Sequence, residues 1–405
     1  MKYDFTSITP RKGSGSYKWD AAPPFGIPES AMEGVIPMWV ADMDFRVAPF
    51  IIEALHDRVE HGIFGYTSVP ESFYEATIGW FAKYHNWNID RNWMMYTSGV
   101  VPAISAVIKG LTAPGDGVIV QTPVYNCFFS SIRNNGCTMI ENPLICIKAD
   151  EGRFTYRVDW DDLEKKCSLP KAKILLLCNP HNPAGRVWTK EELSRMGEIA
   201  SRHGVAVVSD EIHCEIVMPG YSYSPFASVS ELNSDNCITL CSPSKSFNTA
   251  GLQIANIIAP KEEWREKIDR AININEVCDV NPFGVIALEA AYTEEGKEWL
   301  DEMCLAIQKN YSFLLDGMRA ALPQLPVCIL EGTYLAWIDC HELLEKGYSS
   351  EKIEEELLRQ EKVWINAGKM YGDDAFIRVN LACPESLCRE GLERMVKGLR
   401  RLLQA

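Results

Sequence analysis

Short, mostly apolar runs recur through the middle of the chain: Gly117–Gln121, Lys173–Cys178, Val205–Ser209, Cys237–Cys241 and Ile254–Ala259. Stretches with helical spacing separate them. Runs of this kind predict strands buried on both faces, and so a mainly parallel sheet with helices on both sides. One covering helix is well marked. Thr189-x-x-Glu192 reads as a capping box, Leu193, Met196, Ile199 and Ala200 form one face, and Gly204 can end it. After about residue 285 the pattern changes. A long helical stretch from Val285 to Leu322 leads to a strand, Tyr334–Ile338, and a charged amphipathic helix, Glu351–Gln360. Strand candidates Val363–Asn366 and Phe376–Leu381 follow, then a last helix, Glu385–Leu403. The first 48 residues are rich in Pro, Gly and Trp and predict irregular backbone. The fold class is therefore α/β over 49–285, followed by a smaller α+β unit over 286–405.

Composition narrows the function. With 405 residues, 47% of them apolar, the chain can fill two domains or one large one with an appendage. A net charge of −15 argues against a nucleic-acid partner, whose binding needs clustered Lys and Arg. No apolar run reaches membrane-spanning length, and the start, Met1-Lys2-Tyr3-Asp4-Phe5, lacks a signal-peptide core. The expectation is a cytoplasmic protein with no membrane partner. Fourteen cysteines raise a metal reading that fails on spacing. No Cys-x-x-Cys pair exists, and no histidine follows Cys237 and Cys241 at ligand distance. Most lie in apolar runs, as small hydrophobes do in a reducing compartment.

The candidate chemistry centres on Ser242-Pro243-Ser244-Lys245-Ser246-Phe247-Asn248. No other charged residue lies between Asp235 and Lys261. An amine attacks a carbonyl only when neutral, and apolar surroundings lower its pKa. The flanking Ser242 and Ser244 offer hydroxyls to a phosphate. Together they point to pyridoxal 5'-phosphate, against a lysine that merely snorkels at a strand end. In open parallel sheets ligands collect at the carboxyl ends of strands. Asn182, Asp210 and Lys245 each follow a predicted strand there. Ser98, Gly99, Val100 and Val101 begin a helix-like run, where free backbone N–H groups favour a phosphate.

Four segments in order carry a resemblance. They are Tyr96-Thr97-Ser98-Gly99-Val100-Val101, Asn179-Pro180-His181-Asn182-Pro183-Ala184-Gly185-Arg186, Val208-Ser209-Asp210-Glu211 and the Lys245 heptapeptide. The chain resembles, over nearly its whole length, the class I/II pyridoxal-phosphate aminotransferase superfamily of fold type I. Met38-Trp39-Val40-Ala41-Asp42-Met43-Asp44-Phe45, Phe64-Gly65-Tyr66-Thr67 and Asp210-Glu211-Ile212-His213 look like its cystathionine β-lyase, or cystalysin-like, branch. Classical aminotransferases carry Tyr where His213 stands. The resemblance implies that residues 1–48 and 286–405 share the small domain. It also implies a homodimer in which Tyr66 reaches the phosphate of the neighbouring subunit.

Each residue then has a role and a plainer alternative. Asp210 suits the pyridine nitrogen, or caps a helix. Asn182 suits the ring oxygen, or is an ordinary turn residue before Pro. Tyr125 stacks on the ring and joins Lys245 and Asp210 in catalysis, or is a rim aromatic. His213 joins the cofactor set. Arg378, inside an apolar strand, needs an anion. That anion is a substrate α-carboxylate or a structural carboxylate. Trp39, Val40 and Ala41 line the substrate side, or pack an N-terminal arm. The resulting expectation is a C–S β-lyase acting on L-cystathionine, cysteine or related S-substituted cysteines. A transaminase on the same residues and a regulatory binding protein on the same fold are the rivals.

Overall fold

A computed structural model of the chain describes residues 1–20, 27, 32–150, 152–274 and 279–405. Its central sheet contains β1 (Met94–Thr97), β2 (Gly117–Val120), β3 (Thr138–Glu141), β4 (Ala172–Cys178), β5 (Ala206–Asp210), β6 (Cys237–Cys241) and β7 (Ala255–Ile258). The order is β1-β7-β6-β5-β4-β2-β3. β7 is antiparallel to both neighbours and the other pairs are parallel. All five predicted strands are present. The pattern missed β1 and β3. β3 is an edge strand with mostly exposed side chains, so no continuous apolar run marks it.

Burial on both faces is literal. Along β4, Ile174 and Leu176 enter one core while Leu175 and Leu177 enter the other. The helix Lys190–Arg202 starts with the expected capping box: the Thr189 hydroxyl accepts from the Glu192 N–H and the Glu192 carboxylate reaches back to Thr189.

A second sheet runs Asn366–Ala367, Phe376–Asn380, Leu335–Asp339, Val327–Cys328, Arg153–Arg157, Ile145–Asp150. Its last two strands come from within 49–285, a crossing that the sequence pattern did not foresee. The chain leaves the edge strand β3 and pairs there as a hairpin. The N-terminal segment adds a short parallel pair, Ile36–Pro37 with Val363–Trp364. Phe5 packs on Phe45 and Trp299 at 5.1 and 5.2 Å.

Three predicted elements are corrected. The stretch from Val285 to Leu322 is two helices, Pro282–Ala291 and Glu294–Ala321. Thr293 caps the second through the Gly296 N–H. A Cβ on Gly296 would lie 1.9 Å from the Ala291 carbonyl oxygen, so only glycine allows so tight a junction. The helix expected over Glu351–Gln360 is Ser350–Glu356, continued by a wider turn at Leu357–Glu361. Val363–Asn366 divides between two partners, the N-terminal strand and Phe376–Asn380. Among the described residues no helix is long and apolar enough to cross a membrane.

Candidate active site

The carboxyl ends of β1, β2, β4, β5 and β6 share one edge of the sheet. A cavity of about 300 Å³ opens there, lined by Ser98, Gly99, Val100, Val101, Tyr125, Asn182, Asp210, His213, Ser244, Lys245 and Ala41. Gly99 starts the helix Val100–Leu111 with no side-chain cap, and Pro102 has no N–H to offer. The first-turn N–H groups therefore face the cavity in need of an acceptor. Asp210 is the last residue of β5 and is buried. Its Oδ1 accepts from the Ile212 N–H at 3.1 Å. Lys245 sits in the turn after β6, and its Nζ donates to the Ala41 carbonyl at 2.7 Å. Asn248, in the left-handed region at φ 57°, ties that turn to residues 43–45 through the Met43 N–H and the Met43 and Phe45 carbonyls.

Burial sets the electrostatics. It pushes the Asp210 carboxyl up to about 7, with the Ile212 N–H and Lys245 opposing and Glu211 adding. Burial also lowers the Lys245 amine below its usual range; the Arg378 charge lowers it further, while Asp42 and Asp210 oppose. His213 is lowered to about 3, again mainly by burial, so it is a neutral imidazole. Its Nδ1 has no partner among the described residues. Burial raises the Tyr125 phenol, as does its neighbour Cys127, so it stays protonated.

Behind Asp210 the same loop is anchored. Glu211 accepts from the Ser209 hydroxyl (2.7 Å), the Phe226 N–H (2.9 Å) and the Tyr223 hydroxyl. Glu215 accepts from Trp80 Nε1 and contacts His85 Nε2, each at 2.7 Å.

The opposite wall is the irregular backbone of Trp39–Asp42. Arg378 donates to the Trp39 carbonyl at 3.0 Å and to Asn182 Oδ1 at 3.1 Å, and its guanidinium lies 4.5 Å from the Tyr371 ring. It meets no carboxylate, and its buried Nε has no partner among the described residues. Asn380 holds the Val40 and Asp42 carbonyls, Asn366 the Trp39 carbonyl, and Tyr334 the Ala41 carbonyl at 2.8 Å.

Arg378 does not itself line the cavity and borders it through Asn182, and four further expected residues lie elsewhere. The Ser242 hydroxyl turns away from the cavity, donating to the Ile254 carbonyl at 2.5 Å and accepting from the Ser244 N–H. It braces the lysine turn. The Trp39 ring stacks on Trp364 at 4.1 Å and gives the site only its carbonyl. Val40 lines an adjoining cavity. Tyr66 is 98% exposed in the single chain. Sequence reasoning missed Tyr334, Asn366, Asn380 and Gln253. Only Asn380 left a signal, since Arg378 and Asn380 share one face of a strand by period two.

These groups fit pyridoxal phosphate. The uncapped helix start suits its phosphate, Asp210 its ring nitrogen, Lys245 its aldehyde, and Asn182 with Tyr125 its ring face and oxygen. With this sheet order, such a site defines an α/β enzyme of the pyridoxal-phosphate fold type I class.

The chain belongs to the aminotransferase class I and II family, which it matches over residues 33–395. It is 38% identical to cystathionine beta-lyase PatB of Bacillus subtilis, across 98% of this chain and all of that one. Cystalysin from Treponema denticola, solved with pyridoxal 5'-phosphate, superposes with a TM-score of 0.91 at 36% identity, covering 99% of this chain and 100% of its own. A pyridoxal-phosphate-bound C-S lyase from Staphylococcus hominis gives 0.88 at 31%, covering 98% and 99%.

Proposed function

We propose that this protein is a pyridoxal-phosphate-dependent C–S β-lyase, converting an S-substituted L-cysteine and water to a thiol, pyruvate and ammonia. The observation that carries it is the partly buried Lys245 amine sharing one cavity with the buried Asp210 carboxylate. Bound pyridoxal phosphate supplies an aldehyde for the substrate amine and a ring that accepts the electron pair left at Cα. Asp210 keeps that ring positively charged. Two unit charges about 4 Å apart at an effective dielectric of 20 attract by roughly 4 kcal/mol, about three pKa units. That is enough to return the carboxyl from about 7 to full ionisation. Lys245, favoured neutral by burial, takes the Cα proton. Loss of the thiolate from Cβ follows, and Lys245 holds the proton that the thiolate needs. Arg378, with its fork free of any carboxylate, binds the substrate α-carboxylate beside Asn182.

The choice of elimination over transamination is supported by the curated relatives named cystathionine beta-lyase, at 31–38% identity against 25–26% for the curated relatives named aminotransferases; one solved structure named a "putative aminotransferase", from Clostridium difficile, stands at 38%. The test is pyruvate release from L-cystathionine without an added keto acid, set against amino transfer to 2-oxoglutarate. Fast acceptor-dependent transfer with negligible pyruvate overturns the lyase reading. The proposed assembly is a homodimer in which Tyr66 reaches the neighbouring phosphate. Its exposure, with Phe64 and Ile63 exposed in the same extended segment, supports that reading. The proposed setting is the cytoplasm, where fourteen cysteines without a ligand pattern stay reduced.

A further inference from the structure

The Lys245 amine donates to the Ala41 carbonyl at 2.7 Å. The next residue is Asp42, and it lines an adjoining cavity of about 600 Å³ together with Lys245. A carboxylate one residue from the lysine's acceptor is an awkward neighbour for a base. A negative charge nearby favours the protonated amine, and a protonated amine takes no proton from Cα.

The other groups that act on this amine are Arg378, Asp210 and the Cys127 side chain. His213 is a neutral imidazole, and the Tyr125 and Tyr334 phenols stay protonated. In the proposed assignment Asp210 is matched by the cofactor ring and Arg378 by the substrate carboxylate. The match for Asp42 comes from the N-terminal segment. Arg11 forks onto its two oxygens at 3.2 and 2.6 Å, and Lys18 Nζ stands 3.7 Å from one of them. Both side chains of the fork are only 21% exposed, so solvent screens the pair weakly. Arg11 also reaches Asp44 at 2.8 Å, but Asp44 has Lys18 at 2.6 Å and Trp19 Nε1 at 2.8 Å besides. Asp42 is therefore the carboxylate that most depends on Arg11. A compact turn aims the guanidinium. Asp20 accepts from the Gly13 and Ser16 N–H groups at 2.9 and 3.0 Å, and Gly13 and Gly15 take left-handed backbone at φ 79° and 75°.

We infer that Arg11 is a positioning residue for the reaction: forked onto Asp42, it cancels the carboxylate beside Lys245 and leaves that amine able to take the Cα proton. It acts through Asp42 and touches neither substrate nor cofactor. The inference rests on the lyase reading and adds to it a residue from the N-terminal segment.

The test compares wild type, Arg11→Ala, Arg11→Lys, Asp42→Asn and the double variant Arg11→Ala/Asp42→Asn, each loaded with pyridoxal phosphate. In the loaded enzyme the Lys245 nitrogen is joined to the cofactor, whose absorbance reports the proton on it. One readout is the pH midpoint of that absorbance; the other is the acidic limb of kcat for pyruvate release. Arg11→Ala should move both to higher pH by about half a unit to one unit, and Asp42→Asn should move both the opposite way. The double variant should return close to wild type, and Arg11→Lys, which keeps the charge, should recover most of the shift. Added salt should shrink the Arg11→Ala shift. Shifts of the same sign in the two single variants, or an unmoved absorbance midpoint, overturn the inference. So does a loss of kcat at every pH with both midpoints in place, which would make Arg11 a strut for the wall. If Arg11→Ala does not fold, Asp42→Asn decides alone, and an unmoved or raised midpoint ends the inference. Opposite absorbance shifts with no pyruvate at any pH sink the lyase reading and leave the hold of Arg11 on Lys245 standing.

Discussion

The two walls of the cleft are built in opposite ways. On the sheet side, Asp210, Lys245, Asn182 and the start of the Val100–Leu111 helix each follow a strand of the central sheet that fixes where the chain emerges. On the other side there is no regular structure. The four consecutive carbonyls of Trp39–Asp42 are each held by side chains, from Arg378, Asn366, Asn380, Tyr334, Lys245 and Lys18. Buried backbone must find partners somewhere. A strand finds them in its neighbours, and this segment finds them in side chains brought from distant parts of the sequence. One wall is therefore rigid by topology. The other is only as rigid as its donors, and it is where substitutions should tune substrate handling and leave cofactor binding alone.

The sharpest tests of that division fall on the sheet wall. Lys245→Ala should cost on the order of ten-thousand-fold or more in turnover, because it removes both the aldehyde's partner and the proton acceptor. The unfolding midpoint should barely move. Borohydride treatment of the loaded wild type should fix the cofactor on Lys245, and label on another lysine ends the assignment. Asp210→Asn should cost roughly a thousandfold, the equivalent of about 4 kcal/mol.

Asp210 also predicts a pH effect in cofactor-free protein. Its carboxyl is raised to about 7 when folded, against its ordinary value of 3.8. Between those values the unfolded chain has already released the proton, so stability falls as pH rises, by at most about 4 kcal/mol in total. Asp210→Asn should lack that fall. The stability difference between the two proteins should therefore open between pH 4 and 7 and be absent below 4. A difference constant across that range would mean that burial does not set the carboxyl.

How legible each wall was in the sequence follows the same division. Val205–Ser209 and Cys237–Cys241 are apolar apart from Ser209 and Thr239, so their ends, and with them Asp210 and Lys245, could be placed from pattern alone. Ser242 was expected beside the phosphate, as a hydroxyl next to a lysine suggests, and in the structure its hydroxyl donates to the Ile254 carbonyl. Its direction depends on Ile254, a residue on another element. Tyr334 and Asn366 were invisible. Their partners are backbone atoms about 300 residues away, and no periodicity encodes such a bond. The hairpin Ile145–Arg157 was missed for a related reason. Nothing local tells a strand which of two sheets to join.

On the second wall the largest effect should come from Arg378→Ala. Losing a charge-assisted bond costs roughly 1.5–3 kcal/mol, or about ten- to a hundredfold in kcat/KM. KM should carry it, with cofactor absorbance unchanged. Arg378→Lys should recover little, since an ammonium cannot fork. A loss of cofactor affinity in place of a KM effect would move Arg378 to the other wall. Tyr66→Phe probes the proposed third contributor, a neighbouring subunit. Cofactor affinity should fall roughly tenfold. Mixing with Lys245→Ala subunits should restore part of the activity, because one site of each hybrid then holds both native residues. A monomer in sedimentation, or mixing without effect, removes the shared site.

The smallest predicted effect is the most specific to this wall. The Ala41 carbonyl accepts from Lys245 at 2.7 Å and from Tyr334 at 2.8 Å. Burial raises the Tyr334 phenol well above its ordinary value, so it donates across the whole working range. The lysine amine thus competes for an acceptor already half satisfied, and that competition helps keep it available to the Cα proton. Tyr334→Phe gives the carbonyl wholly to Lys245, which favours the charged amine. The acidic limb of the kcat profile should then move to higher pH by less than one unit, and kcat at neutral pH should drop about fivefold, the equivalent of about 1 kcal/mol. KM and the unfolding midpoint should change little, because the remaining donors still hold Trp39, Val40 and Asp42. A lowered midpoint with an unmoved pH limb would make Tyr334 a strut for the backbone with no hold on the lysine.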